Sequence, residues 1–540
     1  MWRDNRNTVN SGGCRITQHD MAEDLHNAPQ AKATLRVMAT TGVAVSRTVS
    51  RLEVGLTLLP PVLWVSLSLL LLLLPSGSFE LPGDAACPLA GDSLMLSPLI
   101  AAGQIHLAQE KSRVRCLPGA DLESYSGFIS VDKPECGSNL FFWFFPAQER
   151  PKDAPLVLWL NGGPGRSSMY GAMFEHGPYQ LTNPVSDSVV RRNVTWVKSF
   201  SMLYVDNPVG AGFSHTNSCY SRTLNESTAS LYSFLQQFML LFPQYSKNDF
   251  YIGGQVGQIN LELNKENVQL LVTLLNDLLS GKYVPALGYY IHHQMDSNDK
   301  PRMRLKGIFV GSGYCDPEKM LTQLPETLYT IGVYTDFDRR RHIQRVMDGW
   351  SSPDHNPYHS TDSPFSTLLE YYLSMDHTFK AFSYYDQRLD SSQEVSRDPA
   401  LKAFLNKASV KNALHAGGNV FIFEPPFNHY ATLEAIQGVR SEMAFLMDHY
   451  KVLHYTGNMD IIINVRMTEA FLMATPWSGQ ADYNNSQRYP WGYNGRLAGF
   501  YTQVRNFTRV IIRNAGHDAP ADQPEWTLDM MQRFIDDKPF

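Results

Sequence analysis

Short apolar runs that each end in a turn-forming segment are the sequence feature that most restricts the fold of this chain. Six such runs are separated by amphipathic stretches and lie at 155–160, 202–205, 250–252, 308–310, 452–455 and 510–512. Runs of this length that alternate with helical patterns predict an α/β fold, with a mostly parallel central sheet flanked by helices. The carboxyl ends of parallel strands gather the functional loops at one edge of such a sheet.

Two segments depart from this alternation. Near the start, 125–131 and 139–147 predict an antiparallel hairpin. Residues of about 318–430 are polar, rich in aromatic residues and poor in strand-like runs, and they predict an inserted helical cap with helices at 367–372 and 399–414. Residues 90–540 are therefore predicted to form one domain that contains this cap.

An apolar stretch near the N-terminus predicts export. It spans 56–74, has a basic flank before it and small residues after it, and so predicts a signal peptide over 56–78. Residues 1–55 are a predicted leader extension, which we expect to be absent from the mature protein, and Met38 is a candidate start. An uncleaved signal anchor is the alternative, because about nineteen apolar residues can just span a bilayer; the Pro60-Pro61 pair weakens such a helix.

Other sequence features agree with export. Four N-glycosylation sequons lie at Asn193, Asn225, Asn484 and Asn506.

The net charge is -6 and no basic stripe occurs, so nucleic acid is not an expected partner.

Six cysteines restrict the possible disulfide bonds. Cys14 and Cys87 are expected outside the main fold, which leaves at most two bridges, of open connectivity, among Cys116, Cys136, Cys219 and Cys315. No CxxC pair indicates zinc or redox chemistry, and no metal or cofactor is expected.

Two late residues have the order and setting of a catalytic acid and base. Serine hydrolysis needs a nucleophile on a sharp strand-to-helix turn, a histidine that takes its proton, a carboxylate that orients the histidine, and N–H groups that meet the oxyanion. In α/β-hydrolases the order along the chain is serine, acid, histidine. Asp460 follows a predicted strand, and His517 follows the next one on a glycine turn.

A series of motifs resembles the serine carboxypeptidase family, and most closely its vitellogenic-like members. The motifs occur in order at 159–168 (WLNGGPGRSS), 174–178 (FEHGP), 206–214 (DNPVGAGFS), 281–286 (GKYVPA), 311–317 (GSGYCDP), 458–460 (NMD) and 516–517 (GH). The resemblance implies an α/β-hydrolase fold, release of C-terminal residues from peptides and proteins, and a secreted or lysosomal location. A homodimer is left open.

The resemblance also implies individual roles. Asp460 orients His517, which is the general base, and the Gly163 N–H is one oxyanion donor. Asn161 and Gly162 bind the terminal carboxylate of the substrate together with Glu175 and Gln255, the acid of this set acting in its protonated form. Asp206 is taken as structural, and Ser167 and Ser168 as local hydrogen-bonding residues. Arg166 stands where relatives have a cysteine or a small residue, which argues against a bridge there.

The pattern breaks at the nucleophile. The family has Gly-Glu-Ser-Tyr-Ala directly before Gly-Lys-Tyr-Val-Pro, whereas this chain has Gly-Gly-Gln-Val-Gly at 253–257. Val256 therefore takes the serine position and Gln255 the acid position. The segment 256–280 then has no counterpart before the family motif resumes at Gly281. No G-x-S-x-G occurs elsewhere, and Ser280 could serve only if the turn were rebuilt from other residues.

Two explanations for this break compete. The chain is either a catalytically inactive homologue that binds peptide C-termini, or the product of a misread splice junction that replaces the nucleophile turn. The leucine-rich end of the insert and its lack of turn residues favour the second explanation.

Overall fold

The protein is described from a computed structural model. It covers residues 91–131, 134–162, 165–181, 186, 188–255, 280–294, 301, 303–351, 383–390, 397–423 and 437–540. All of these residues belong to one compact unit, residues 85–540.

Twelve strands occur among the described residues. They are β1 (Tyr125–Val131), β2 (Ser138–Phe145), β3 (Leu156–Asn161), β4 (Tyr179–Leu181), β5 (Val189–Arg191), β6 (Ser201–Val205), β7 (Phe250–Gln255), β8 (Leu305–Gly311), β9 (Lys451–Gly457), β10 (Tyr489–Tyr493), β11 (Arg496–Val504) and β12 (Phe507–Ile512).

Ten of these strands form one sheet in the order β1-β2-β6-β3-β7-β8-β9-β12-β11-β10, and β4 and β5 form a separate antiparallel pair. The six central strands, from β6 to β12, are parallel to their neighbours, while both flanks are antiparallel. The α/β-hydrolase prediction is confirmed at this level. The parallel arrangement places the ends of β3, β7, β9 and β12 at one edge.

Fourteen α-helices occur in the described part of the chain. They are α1 (Ser97–Ala101), α2 (Ile105–Ser112), α3 (Leu224–Leu241), α4 (Ser280–Gln294), α5 (Pro317–Leu321), α6 (Gln323–Thr330), α7 (Asp336–Ser351), α8 (Asp398–Leu405), α9 (Ala408–Ala413), α10 (Arg440–His449), α11 (Val465–Ala474), α12 (Gln480–Asn484), α13 (Ala519–Asp522) and α14 (Pro524–Ile535). None of them combines the length and the apolar character needed to cross a bilayer. The predicted signal peptide at 56–78 lies outside the described residues.

The sheet buries both of its faces, and β2 shows how the sequence achieves this. Its residues are all buried, and successive side chains of a strand point to opposite faces. Leu140, Phe142 and Phe144 accordingly join one hydrophobic cluster, while Phe141, Trp143 and Phe145 join the other. A strand that is buried on both faces has a continuous apolar sequence, and this is why β2 could be predicted from the sequence.

The predicted hairpin is present as β1 and β2, paired in antiparallel register from Tyr125 opposite Phe144 to Val131 opposite Ser138. The six predicted runs coincide with β3, β6, β7, β8, β9 and β12. The outer hairpin of β10 and β11 was not predicted from the sequence, because most of its residues are exposed or half-buried.

The described part of the predicted cap is helical. Helices α5 to α9 fall there, and 399–414 overlaps α8 and α9, whereas the predicted helix at 367–372 lies outside the described residues. That residues 318–430 form an inserted cap over the sheet stays a prediction.

Three of the four cysteines that the sequence offered for bridges are disulfide-bonded. Cys136 is bonded to Cys219, and Cys315 is a buried free thiol. Cys116 is also disulfide-bonded.

Candidate active site

Asp460 and His517 form a buried pair at the edge where the parallel strands end. Asp460 follows β9 by three residues, and its Oδ1 accepts the Ile463 N–H at 3.0 Å. Its Oδ2 lies 2.8 Å from Nδ1 of His517, which follows β12. A carboxylate oxygen only accepts, so Nδ1 carries the shared proton and Nε2 is left as the basic nitrogen. That Nε2 is buried and has no hydrogen-bond partner among the described residues.

The charge of Asp460 sets the basicity of this histidine. Burial lowers the pKa of His517, but the adjacent Asp460 carboxylate, through its charge and its hydrogen bond, more than compensates, so that the pKa is raised above its usual value. The pair can therefore hold a proton on His517, as a general base must during hydrolysis.

Gln255 ties the end of β7 to the His517 loop. Its Nε2 donates to the carbonyl oxygen of His517 at 2.8 Å, and its Oε1 accepts the Tyr455 hydroxyl at 2.9 Å. The side chain is fully buried. The amide therefore supports the histidine loop, while its predicted contact with a substrate carboxylate stays a prediction. The nucleophile position, Val256, lies outside the described residues.

Asn161 and Glu175 form a second buried pair, at the end of β3. The Asn161 Oδ1 accepts from Trp159 Nε1 at 2.8 Å and from the Gly171 N–H at 2.9 Å. This fixes the amide so that Nδ2 donates to Glu175 Oε1 at 2.9 Å. Glu175 ends a short π-helical turn, Gly171–Glu175, which aims its side chain at Asn161.

Glu175 is a carboxyl group suited to the protonated state. Burial first, and then the charge of Asp518, raise the pKa of Glu175 to about 8, although the Asn161 hydrogen bond and two nearby arginines lower it. Its Oε2 is buried without a hydrogen-bond partner among the described residues, 3.6 Å from His176 Nε2. Below this pKa the group can donate a proton to a ligand carboxylate.

Of the two glycines predicted for this site, Gly162 is among the described residues and Gly163 is not. The Gly162 N–H donates to the Gln255 carbonyl oxygen at 2.9 Å, which extends the pairing of β3 with β7. Binding of a substrate through this N–H would require that bond to open. Gly163, the predicted oxyanion donor, lies outside the described residues.

Asp206 holds the segment that follows this glycine turn. Its Oδ1 accepts the Ser167 hydroxyl at 2.6 Å and the Ser168 N–H at 3.0 Å, and its Oδ2 accepts the Phe213 N–H at 2.9 Å. Ser168 Oγ in turn donates to the Val205 carbonyl at 2.5 Å. These contacts agree with the structural role expected for Asp206. They also agree with the local hydrogen bonding expected for Ser167 and Ser168.

A cluster of charged residues beside the site was not found from the sequence. Tyr170 donates its hydroxyl to Asp518 Oδ2 at 2.7 Å, and Arg166 forms a 2.5 Å ion pair with Asp398 at the start of α8. Arg397 lies 3.7 Å from Asp518. The sequence offered one local sign of this cluster, the carboxylate of Asp518 directly after His517. The other members are far apart along the chain, so no sequence pattern joins them.

All four sequon asparagines are exposed, which leaves them accessible to a glycosyltransferase: Asn193, Asn225, Asn484 and Asn506. Glycosylation itself stays a prediction.

A buried histidine–carboxylate pair after the last parallel strands of a sheet with helices on both faces is typical of the α/β-hydrolase fold class. Comparison with known proteins narrows this class. The family model described as serine carboxypeptidase matches residues 117–256 and 266–537, and the chain belongs to that family. The unmatched residues, 257–265, lie inside the predicted insert and are shorter than it.

Individual relatives agree. The chain is 35% identical to the probable serine carboxypeptidase CPVL of Homo sapiens over 88% of this chain and 97% of that protein. It is 33% identical to the vitellogenic carboxypeptidase of Aedes aegypti over 85% and 92%. A solved structure of a prohormone-processing carboxypeptidase from Saccharomyces cerevisiae has a TM-score of 0.66 at 19% identity, covering 79% of this chain and 96% of that chain, and it supports the fold.

Proposed function

We propose that this site recognises the C-terminal end of a peptide or protein, and that the Asn161–Glu175 pair binds the terminal carboxylate. The observation that carries the proposal is a fully buried carboxyl group with one oxygen held by Asn161 and the other without a hydrogen-bond partner. A protonated Glu175 donates to a carboxylate, whereas an ionised one repels it. Recognition is therefore strongest on the acid side of the Glu175 pKa, about 8.

We further propose that the chain with this sequence forms no acyl-enzyme at residue 256. Valine has neither a nucleophilic oxygen nor a proton to transfer. The base that would serve a nucleophile is assembled, since His517 Nε2 is open and Asp460 orients the ring. Ser280 begins α4, the next described element after β7, and is the one serine close in sequence to the nucleophile position.

The retained base favours hydrolysis as a second candidate function, for a transcript in which the nucleophile turn is uninterrupted. The family match, which stops at 256 and resumes at 266, supports an interruption at this point. Sequencing the transcript across the codons for residues 245–290 tests this explanation, and finding only the present reading would refute it.

Two measurements test the function of the chain itself. The first is binding of a labelled peptide with a free C-terminal carboxylate, compared with the same peptide as its C-terminal amide. We expect the acid to bind more tightly; equal affinity would refute carboxylate recognition. The second is intact-mass analysis after treatment with a fluorophosphonate at mildly acidic pH. We expect no adduct, and an adduct mapped to Ser280 would show that the nucleophile turn has been rebuilt.

We propose a secretory-pathway location, with cleavage near Ser78 and N-linked glycans. The exposed sequons and the family support this location. N-terminal sequencing of the mature protein and the mass loss after enzymatic deglycosylation test it. An uncleaved N-terminus would instead favour the signal anchor. A homodimer is open to measurement by sedimentation.

A further inference from the structure

Arg397 and Asp398, which are consecutive at the start of α8, bring opposite charges to the active-site edge of the sheet. Asp398 pairs with Arg166 at 2.5 Å, and both side chains are largely buried. The Arg166 guanidinium also lies over the rings of Tyr170, at 4.7 Å, and Phe423, at 5.6 Å. Its charge is therefore committed to the contact between α8 and the segment after the glycine turn.

Arg397 is placed differently. It is the N-cap residue of α8 and makes no side-chain cap. Its Nη1 lies 3.7 Å from Asp518 Oδ2, which is beyond hydrogen-bond distance, and that oxygen already accepts the Tyr170 hydroxyl. Arg397 Nη1 and Asp518 Oδ1 are both buried without a hydrogen-bond partner among the described residues. Leaving a buried polar group unsatisfied costs about 1–3 kcal/mol, so an open donor here indicates a ligand that completes it.

This open donor belongs to the same site as the carboxylate pair. The Arg397 guanidinium lies 5.8 Å from the ring centroid of Phe174, the residue directly before Glu175. The charges of Arg166 and Arg397 both act on Glu175. Of these two cations, Arg166 has a close carboxylate partner, whereas Arg397 interacts with the Tyr170 hydroxyl, has only the longer contact with Asp518, and keeps Nη1 without a hydrogen-bond partner among the described residues.

We propose that Arg397, the N-cap residue of α8, is a third binding group for the terminal carboxylate of the ligand. The inference rests on the proposed function of the site. Asn161 and protonated Glu175 offer hydrogen bonds from uncharged groups, whereas a guanidinium offers a charge-assisted bond that selects an anion. Arg397 therefore makes the site discriminate between a peptide acid and a peptide amide.

The test measures the affinity ratio of an acid peptide to its amide by fluorescence anisotropy, at mildly acidic pH. The variant is Arg397→Gln. The matched control is Arg440→Gln, because Arg440 is 34% exposed and pairs with buried Asp316 at 3.2 Å, while Arg397 is 36% exposed and faces buried Asp518. We expect the acid preference to fall about tenfold or more in Arg397→Gln, and to stay at the wild-type value in Arg440→Gln.

A second variant separates ligand binding from simple neutralisation of Asp518. In the double variant Arg397→Gln, Asp518→Asn the unpaired carboxylate is gone, and the Tyr170 hydroxyl still finds an amide oxygen. We expect the acid preference to stay low. Recovery of the wild-type preference would overturn the proposal, as would an unchanged preference in Arg397→Gln. If the wild-type protein itself shows no acid preference, the carboxylate site proposed above fails, and the role of Arg397 fails with it.

Discussion

Protonation of Glu175 gives the most direct prediction, because its replacement by glutamine keeps the shape of the side chain and removes the titration. One oxygen of Glu175 accepts from Asn161 Nδ2 at 2.9 Å, and a glutamine oxygen can accept the same bond. The other position becomes an NH₂ group that donates permanently. We therefore expect Glu175→Gln to bind peptide acids at low pH about as well as the wild-type protein.

The affinities of the wild-type protein and of Glu175→Gln for a peptide acid diverge as the pH rises. With a Glu175 pKa of about 8, the carboxyl is about 1% ionised at about pH 6 and about 90% ionised at about pH 9. If the ionised form does not bind a carboxylate, the wild-type affinity falls about tenfold over this range. Glu175→Gln lacks this decline, because an amide does not titrate.

Anisotropy titrations with a labelled peptide across this range measure the effect. The peptide amide is the control, because it carries no charge for ionised Glu175 to repel and its affinity should not follow the same decline. Parallel pH profiles for the wild-type protein and Glu175→Gln with the acid peptide would refute the reasoning. They would mean that Glu175 does not change its charge in this window or does not face the ligand carboxylate.

Three further predictions concern the framework. A methyl group at Gly281 would lie 2.5 Å from a backbone nitrogen, so Gly281→Ala should cost roughly 1–3 kcal/mol in denaturant unfolding, and an unchanged midpoint would contradict the packing of α4. Replacing Cys136 and Cys219 together by alanine opens a bridge between residues 83 apart, and the loss should approach ~4 kcal/mol by the same assay; a loss near zero would contradict the loop-closure argument. Asp460→Asn should lower the pKa of His517 in a histidine NMR titration, because burial then dominates, and an unchanged pKa would show that the pair is not coupled.

The central strands could be predicted from the sequence because burial of both faces requires a continuous run of apolar residues. β3 and β7 are buried along their whole length and end in turn residues, and both patterns are local. The hairpin of β10 and β11 has no such apolar run, since its residues are mostly exposed or half-buried and include one proline and two glycines. Partial burial at the edge of a sheet removes the apolar run on which recognition depends.

The same distinction holds within the site. Asp460 and His517 could be paired from the sequence because each follows a strand end, and parallel strand ends share one edge of the sheet. The pairing of Arg166 with Asp398 spans 232 positions and has no local pattern. Nor did the sequence indicate that Gln255 would support the His517 loop, since this depends on Tyr455 reaching it from β9.

These contacts bear on what the chain can do with valine at position 256. His517 Nε2, Glu175 Oε2 and Asp518 Oδ1 are all buried without hydrogen-bond partners among the described residues. At about 1–3 kcal/mol each, such groups consume a substantial part of the 5–15 kcal/mol that typically separates folded from unfolded protein. A ligand with a carboxylate offsets the cost at Glu175 and Arg397 without any nucleophile. The open nitrogen of His517 has no use in carboxylate binding, and its pairing with Asp460 is the arrangement of a general base, so its retention indicates hydrolysis. The transcript across the interrupted turn is therefore the decisive observation.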